Sequence, residues 1–166
     1  MKVVDNLTYG TAISYYLAYK CLMEKNKELC IYYNDNISMY VFPAITTAAL
    51  SCEIALKNLI YLDTGKKERG HNLEKLFKAL NQDTQTRYIC QTVELYNLRL
   101  KKLGEVTVFT DDDFRLQLFS NKDIYTKCRY LYEGTVPVDL DFLEAFMFSL
   151  NSTFEDYENF IMRLYA

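Results

Sequence analysis

The sequence predicts an all-α protein, a bundle of about five to six helices that takes residues 1–166 as a single domain. Three observations predict it. Gly occurs 5 times and Pro 2 times in 166 residues, too little punctuation for a turn-rich β fold. Hydrophobic residues make up 50% of the chain and charged ones 25%, the balance of a globular protein with a real core. Apolar residues recur at helical spacing along most of the chain, whereas no two alternating runs offer strands to pair. No repeat, low-complexity tract or Pro/Gly linker divides it.

The first helix is expected over about Thr8 to Asn26. Leu7, Ile13, Tyr16, Leu17 and Met23 give it a loose stripe, and Lys25 and Lys27 stand near the negative end of its dipole. Ile31–Asn36 reads as a loop, because Asn34-Asp35-Asn36 favours turns. Pro43 opens a second helix, which Asp63-Thr64-Gly65 stops near Leu62. Ala48, Ala49, Leu50, Cys52, Ile54, Ala55, Leu56, Leu59 and Ile60 cover nearly every face of it, the mark of a central, buried helix. Asn72 caps a short helix whose Leu73, Leu76, Phe77 and Leu80 form one apolar face. Asn81-Gln82-Asp83 ends it and caps the next, about Thr84 to Lys102, which Gly104 terminates. Val106–Phe109 is read as a loop for want of a partner strand. Thr110 caps a helix whose first turn is Asp111-Asp112-Asp113. Those acids complement the helix dipole rather than a metal, since consecutive helix residues point apart. The pattern breaks near Asn121, before Asp123–Glu133. Gly134–Pro137 turns, and a last helix runs from about Asp141 to Tyr165.

Composition narrows the chemistry. With Lys+Arg 19 and Asp+Glu 22, the net charge is −3. That is not the balance of a protein that coats nucleic acid non-specifically, although a local basic patch can still serve RNA. His71 is the single histidine, so one chain cannot assemble a multi-His metal site, and an imidazole pair takes two chains. Neither a metal nor a cofactor is expected. Cys21, Cys30, Cys52, Cys90 and Cys128 contain no C-x-x-C pair and read as small buried hydrophobes, with Cys128 alone beside a basic residue, Arg129. The opening Met1–Asn6 lacks the apolar stretch of a secretory signal, and no apolar run reaches the roughly 18 residues of a bilayer span. A cytoplasmic chain without a membrane partner is the expectation.

The candidate chemistry sits mid-chain. Glu53 and Lys57 share one face of the otherwise apolar second helix, and Thr46 lies on the same seam. An ion pair in such a helix is costly unless partners satisfy it, so the seam either meets other polar groups or opens onto a site. The basic loop Lys66-Lys67-Glu68-Arg69-Gly70-His71 and the stretch Arg129-Tyr130-Leu131-Tyr132-Glu133 are the available neighbours. In the structural reading, Glu53 and Lys57 pair with Arg129 and Glu133 in a closed network, and His71 only bonds backbone. In the functional reading these groups gather around a phosphate. His71 serves as acid or base, Arg69, Lys66 or Arg129 stabilises phosphorane charge, and Glu53 orients a cation. Lys57, Lys66, Lys67 and Tyr130 then contact the nucleotide or RNA. One histidine per chain becomes two across a two-fold interface, and no step takes a metal.

The order of these pieces resembles the HEPN superfamily, named for "higher eukaryotes and prokaryotes nucleotide-binding". The resembling stretches are Ala49-Leu50-Ser51-Cys52-Glu53-Ile54-Ala55-Leu56-Lys57-Asn58-Leu59-Ile60, then Gly70-His71-Asn72-Leu73-Glu74-Lys75-Leu76-Phe77, then Cys128-Arg129-Tyr130-Leu131-Tyr132-Glu133. They correspond to the family's Glu-x-x-x-Lys helix, Gly/Thr-His-x-Leu-x-x-Leu segment and Arg-Tyr element. The resemblance implies an all-α bundle, usually a homodimer. It also implies RNA cleavage or nucleotide binding in a prokaryotic toxin–antitoxin, phage-defence or stress context, with a cognate antitoxin as a partner. Many nuclease members carry Arg-x(4–6)-His, whereas here Lys66 and Arg69 precede His71. The competing expectation is a non-catalytic dimeric module that binds a nucleotide or a partner protein.

Overall fold

The structure, a computed structural model, describes residues 6–33, 40–128 and 138–152. Among the described residues there are seven helices and no strand, as the all-α expectation requires: α1 (Asn6–Tyr33), α2 (Val41–Thr64), α3 (Leu73–Lys78), α4 (Gln82–Leu103), α5 (Asp111–Ser120), α6 (Ile124–Cys128) and α7 (Leu140–Asn151).

The central position expected of the second helix is met. α2 packs against α1, α3, α6 and α7, and Ala48, Cys52 and Leu56 on it are fully buried. It begins at Val41, before Pro43. The proline stays within the first turn, where its missing N–H breaks no helical bond. Gly65, at φ 74°, closes the helix, its N–H donating to the Tyr61 carbonyl. By length and composition α2 also passes as a bilayer span, with mean hydropathy 1.2 over an 18-residue window that is 56% buried in the protein. The sequence expectation that no segment reaches that length is corrected here. Scattered small polar residues interrupt every apolar run without ending the helix.

Other boundaries move as well. α1 continues past Asn26 to Tyr33, so Ile31–Tyr33 is helical rather than loop. No Gly or Pro interrupts that stretch, and a Lys25–Glu28 ion pair at 2.7 Å spans the expected end. Asn34–Asn36 lie outside the described residues. The last helix was expected to reach Tyr165, but Ser152 turns extended at ψ 137° and ends α7 at Asn151. The rest of that expectation, and the turn at Gly134–Pro137, fall outside the described residues. The caps at Asn72, Asn81, Thr110 and Gly104 stand where the sequence places them. Val106–Phe109 forms no strand. Its end is held instead by Asn97, which donates to the Phe109 carbonyl at 2.9 Å and accepts from its N–H at 2.7 Å.

The core is aromatic where α3, α5 and α7 converge. Phe77, Phe114, Phe142 and Phe146 are buried and stack or meet edge-on, with the Phe114 centroid 5.3 Å from Phe77 and 5.6 Å from Phe146. Two buried hydroxyls pair across helices. Ser51 Oγ donates to the Ala12 carbonyl at 2.8 Å and accepts from Asn151 Nδ2 at 3.0 Å, so one hydroxyl joins α1, α2 and α7. Thr92 and Ser149 likewise join α4 to α7 at 2.8 Å. The cysteine expectation holds for Cys52 alone. Cys21 and Cys90 are exposed, on helix faces turned from the core, and Cys128 is half-buried at the core's edge. Cys30 lies outside the residues whose side chains are described.

Ser51→Ala removes the bond to the Ala12 carbonyl and one of the two acceptors of the Asn151 amide nitrogen, which keeps the Met147 carbonyl at 2.8 Å. It is expected to lower unfolding stability by about 0.5–1.5 kcal/mol, read by urea denaturation; an unchanged midpoint would show that the three-helix junction does not rest on this hydroxyl. A second expectation concerns pH. The side-chain and backbone hydrogen bonds from Thr110 hold the Asp113 carboxyl below its ordinary value of 3.8. A depressed folded-state value stabilises above the unfolded one, and that contribution fades as pH falls through the carboxylate range. Asp113→Asn should therefore flatten the acid limb of the stability curve and leave the neutral plateau's slope unchanged.

Candidate functional site

Glu53 has 4% of its surface exposed, in the middle of a long and largely apolar helix. A carboxylate there needs its lone pairs filled. One turn further along α2, Lys57 Nζ approaches Glu53 Oε1 at 2.7 Å. The other oxygen, Oε2, meets His71 Nδ1 at 2.9 Å. The seam marked on the sequence thus closes around a single buried acid held by a lysine and an imidazole. Thr46 takes no part, since its hydroxyl turns back to the Phe42 carbonyl at 3.1 Å.

The loop carrying His71 is fixed at both ends. Gly65 starts it in the left-handed region, and Gly70 repeats that conformation at φ 96°. Nothing lies within 4 Å of a Cβ built at Gly70, so backbone geometry, not space, asks for glycine there. After His71, the Asn72 side chain accepts from the Lys75 N–H and donates to Asp123 Oδ1, each at 2.9 Å. The Leu73 N–H donates to the Lys122 carbonyl at 2.8 Å. The imidazole ring lies against Tyr125, centroids 5.1 Å apart. Backbone, cap and ring contact together set where His71 sits.

A carboxylate only accepts hydrogen bonds. The neutral imidazole therefore keeps its proton on Nδ1, towards Glu53, and presents the Nε2 lone pair away from it. The His71 side chain is 52% exposed while its anchor is 5% exposed. That is the build of a general base with an orienting acid behind it. Lys66, Lys67 and Arg69 are exposed on the same loop. Arg129 and Tyr130, singled out on the sequence, lie outside the described residues, as does Glu133.

A pocket of about 180 Å³ opens beside this cluster, lined by Thr8, Lys57, Asn58, Tyr61, Lys67 and Glu68. Of these, Lys57 and Lys67 were legible in the sequence. Asn58 was not singled out, although a third polar residue on a greasy helix was a usable signal. A larger groove of about 560 Å³ runs between α1, α4 and α7. There Arg99 is spent on Asp141 and Glu144, both at 2.6 Å. Burial raises the Asp141 carboxyl, against the lowering effect of Arg99. Cys128 gains no activation: burial pushes its thiol up, opposed only by a hydrogen bond with Thr46. Among the described residues no three His, Cys, Asp or Glu side chains converge as a metal-ligand set.

Long-range ¹⁵N–¹H spectra should record the Nδ1–H tautomer for neutral His71 in the wild type and its loss in Glu53→Ala. An Nε2–H wild type would contradict the geometry. Gly70→Ala places a side chain on a strained backbone, a cost of about 1–3 kcal/mol, and should blur the same signature while the core stays folded by near-ultraviolet dichroism.

No family model, curated protein or solved structure gives a significant match to the chain.

Proposed function

We propose that the chain is an RNA-directed protein whose His71 performs metal-independent phosphodiester cleavage. The observation that carries this reading is the Nδ1–Oε2 contact of 2.9 Å between a half-exposed imidazole and a buried carboxylate, beside a loop with Lys66, Lys67 and Arg69 exposed on it. In the reaction, His71 Nε2 takes the proton of a ribose 2′-hydroxyl. The 2′-oxygen attacks phosphorus, and the 5′-oxygen leaves with a proton from a second imidazole, which a homodimer supplies. The products are a 2′,3′-cyclic phosphate and a 5′-hydroxyl. Lys66 and Arg69 offset the charge that grows on the phosphorane. The HEPN resemblance supports this chemistry and its toxin–antitoxin or defence setting. The purely structural alternative calls for a closed network with no adjoining pocket, and the cavity beside Lys57 speaks against it. A second reading, a dimeric nucleotide- or protein-binding module without catalysis, is favoured by Lys66 standing where many nuclease members have Arg.

Total RNA incubated with the wild type in excess chelator is expected to yield cyclic-phosphate ends. His71→Ala should lose at least about 100-fold in rate, with its helical dichroism unchanged. Equal cleavage by the two proteins would sink the role of His71. Retained RNA binding without cleavage by either would transfer the conclusion to the binding module.

A further inference from the structure

We propose that the groove between α1, α4 and α7 binds a free anionic amphiphile, a single acyl chain with a carboxylate head. The groove holds about 560 Å³, inside the roughly 300–1,000 Å³ of small-molecule sites, and it is polarised along its length. A few contacts fix its direction. Ser51 links the Ala12 carbonyl to Asn151. One turn further along α1, the Tyr16 ring meets Phe148 edge-on, centroids 6.2 Å apart. α1 therefore runs antiparallel to α7. On α4, Thr92 meets Ser149 while Arg99 pairs with Asp141 and Glu144, so α4 runs antiparallel to α7 as well. Both walls of the groove advance from the end of α7 towards its start.

Beside the end of α7 the lining is apolar. Tyr16, Leu95, Ala145 and Phe148 belong to it, Leu95 and Ala145 being 8% exposed each. Leu98, one turn on along α4, carries the apolar strip forward. Towards the start of α7 the lining turns cationic. Lys27 stands about 16 Å past Tyr16 along the axis of α1, and Lys102 about 10 Å past Leu95 along α4. Both lysines are exposed, and neither has an acidic partner among the described residues. Lys20 lies over the Tyr16 ring, 5.7 Å from its centroid. The two acids on the lining, Asp141 and Glu144, are already taken by Arg99, so the guanidinium is spent and the head group falls to Lys27 and Lys102. A trough that is greasy at one end and positive at the other matches a molecule that is hydrocarbon at one end and anionic at the other. Each half is satisfied only by such a ligand: an inorganic anion leaves the apolar end wet, and a neutral hydrocarbon leaves the lysines unanswered. The positive end persists in a chain whose net charge is −3.

Binding is tested on the whole chain by calorimetry and by amide shifts of the lining residues. The probes are octanoate, decanoate and dodecanoate, each below its micelle-forming concentration. Dodecanoate is expected to saturate at one molecule per chain and to bind at least about tenfold more tightly than octanoate, the worth of added methylenes partly withdrawn from water. Dodecyltrimethylammonium, with the same tail and the opposite head, should bind at least about tenfold more weakly than dodecanoate. Lys27→Ala combined with Lys102→Ala should weaken dodecanoate about tenfold and leave the melting temperature of the free protein unchanged. Leu98→Asp should remove binding; if that variant does not fold, the exposed lysine pair decides alone. Equal affinity across chain lengths, parity of the two head groups, or indifference to the lysine variant overturns the proposal. Recruitment to phosphatidylglycerol vesicles without dodecanoate binding also overturns it, in favour of a bilayer surface. Displacement of dodecanoate by a synthetic peptide of residues 153–166 does so too, since the groove would then belong to the chain's own end.

Discussion

A carboxylate in the interior of a greasy helix is the constraint around which this protein is arranged. Glu53 loses nearly all of its hydration on folding, and an ion so placed survives only when its partners are close and well aligned. Lys57 comes with the helix itself, one turn away. His71 does not; it lies across a loop and is delivered by a chain of local devices. Gly65 and Gly70 bend the backbone, Asn72 caps α3 and ties it to Asp123, and the Leu73 N–H hooks onto the segment after α5. The polar centre thus couples helices that the apolar core alone would leave free to slide.

This coupling explains why the site is both stable and chemically available. The acid is hidden, so its orientation is not eroded by water. The imidazole is half out, so one nitrogen is spent on positioning and the other remains for chemistry. The basic loop adds charge without adding buried ions, because Lys66, Lys67 and Arg69 stay in solvent. Local positive charge coexists in this way with a net charge of −3 over the whole chain.

Much of this was legible in the residues. A helix apolar on all faces with an i, i+4 ion pair announces a buried polar centre, and α2 has one at Glu53 and Lys57. Caps were legible because a single side chain decides them, as with Asn72 and Thr110. What stayed hidden depended on distant contacts. The approach of Tyr125 to His71 needs α6 folded back on α2. Burial of a cysteine depends on which face of its helix meets the core, which a loose stripe such as that of α1 does not fix. The end of α1 was misread because lysines near a helix end and lysines in mid-helix look alike until Glu28 is seen to pair with one of them. That Asn58 Oδ1 is buried without a partner could be recognised only after its neighbours had been placed.

The tether between Asn97 and Phe109 has a consequence for how the fold tolerates change. A side-chain amide grips the backbone at the end of the α4–α5 connection, and Phe109 stacks on Tyr96 with ring centroids 4.0 Å apart. The residues before it, with Val106 94% and Val108 72% exposed, are left without architectural duty. The Glu105 N–H still closes α4 on the Leu100 carbonyl and the entry into α5 is set from Phe109 onward, so the span 106–108 is a natural place for lineages to diverge in length, or for an affinity handle to be inserted, without disturbing the helices on either side.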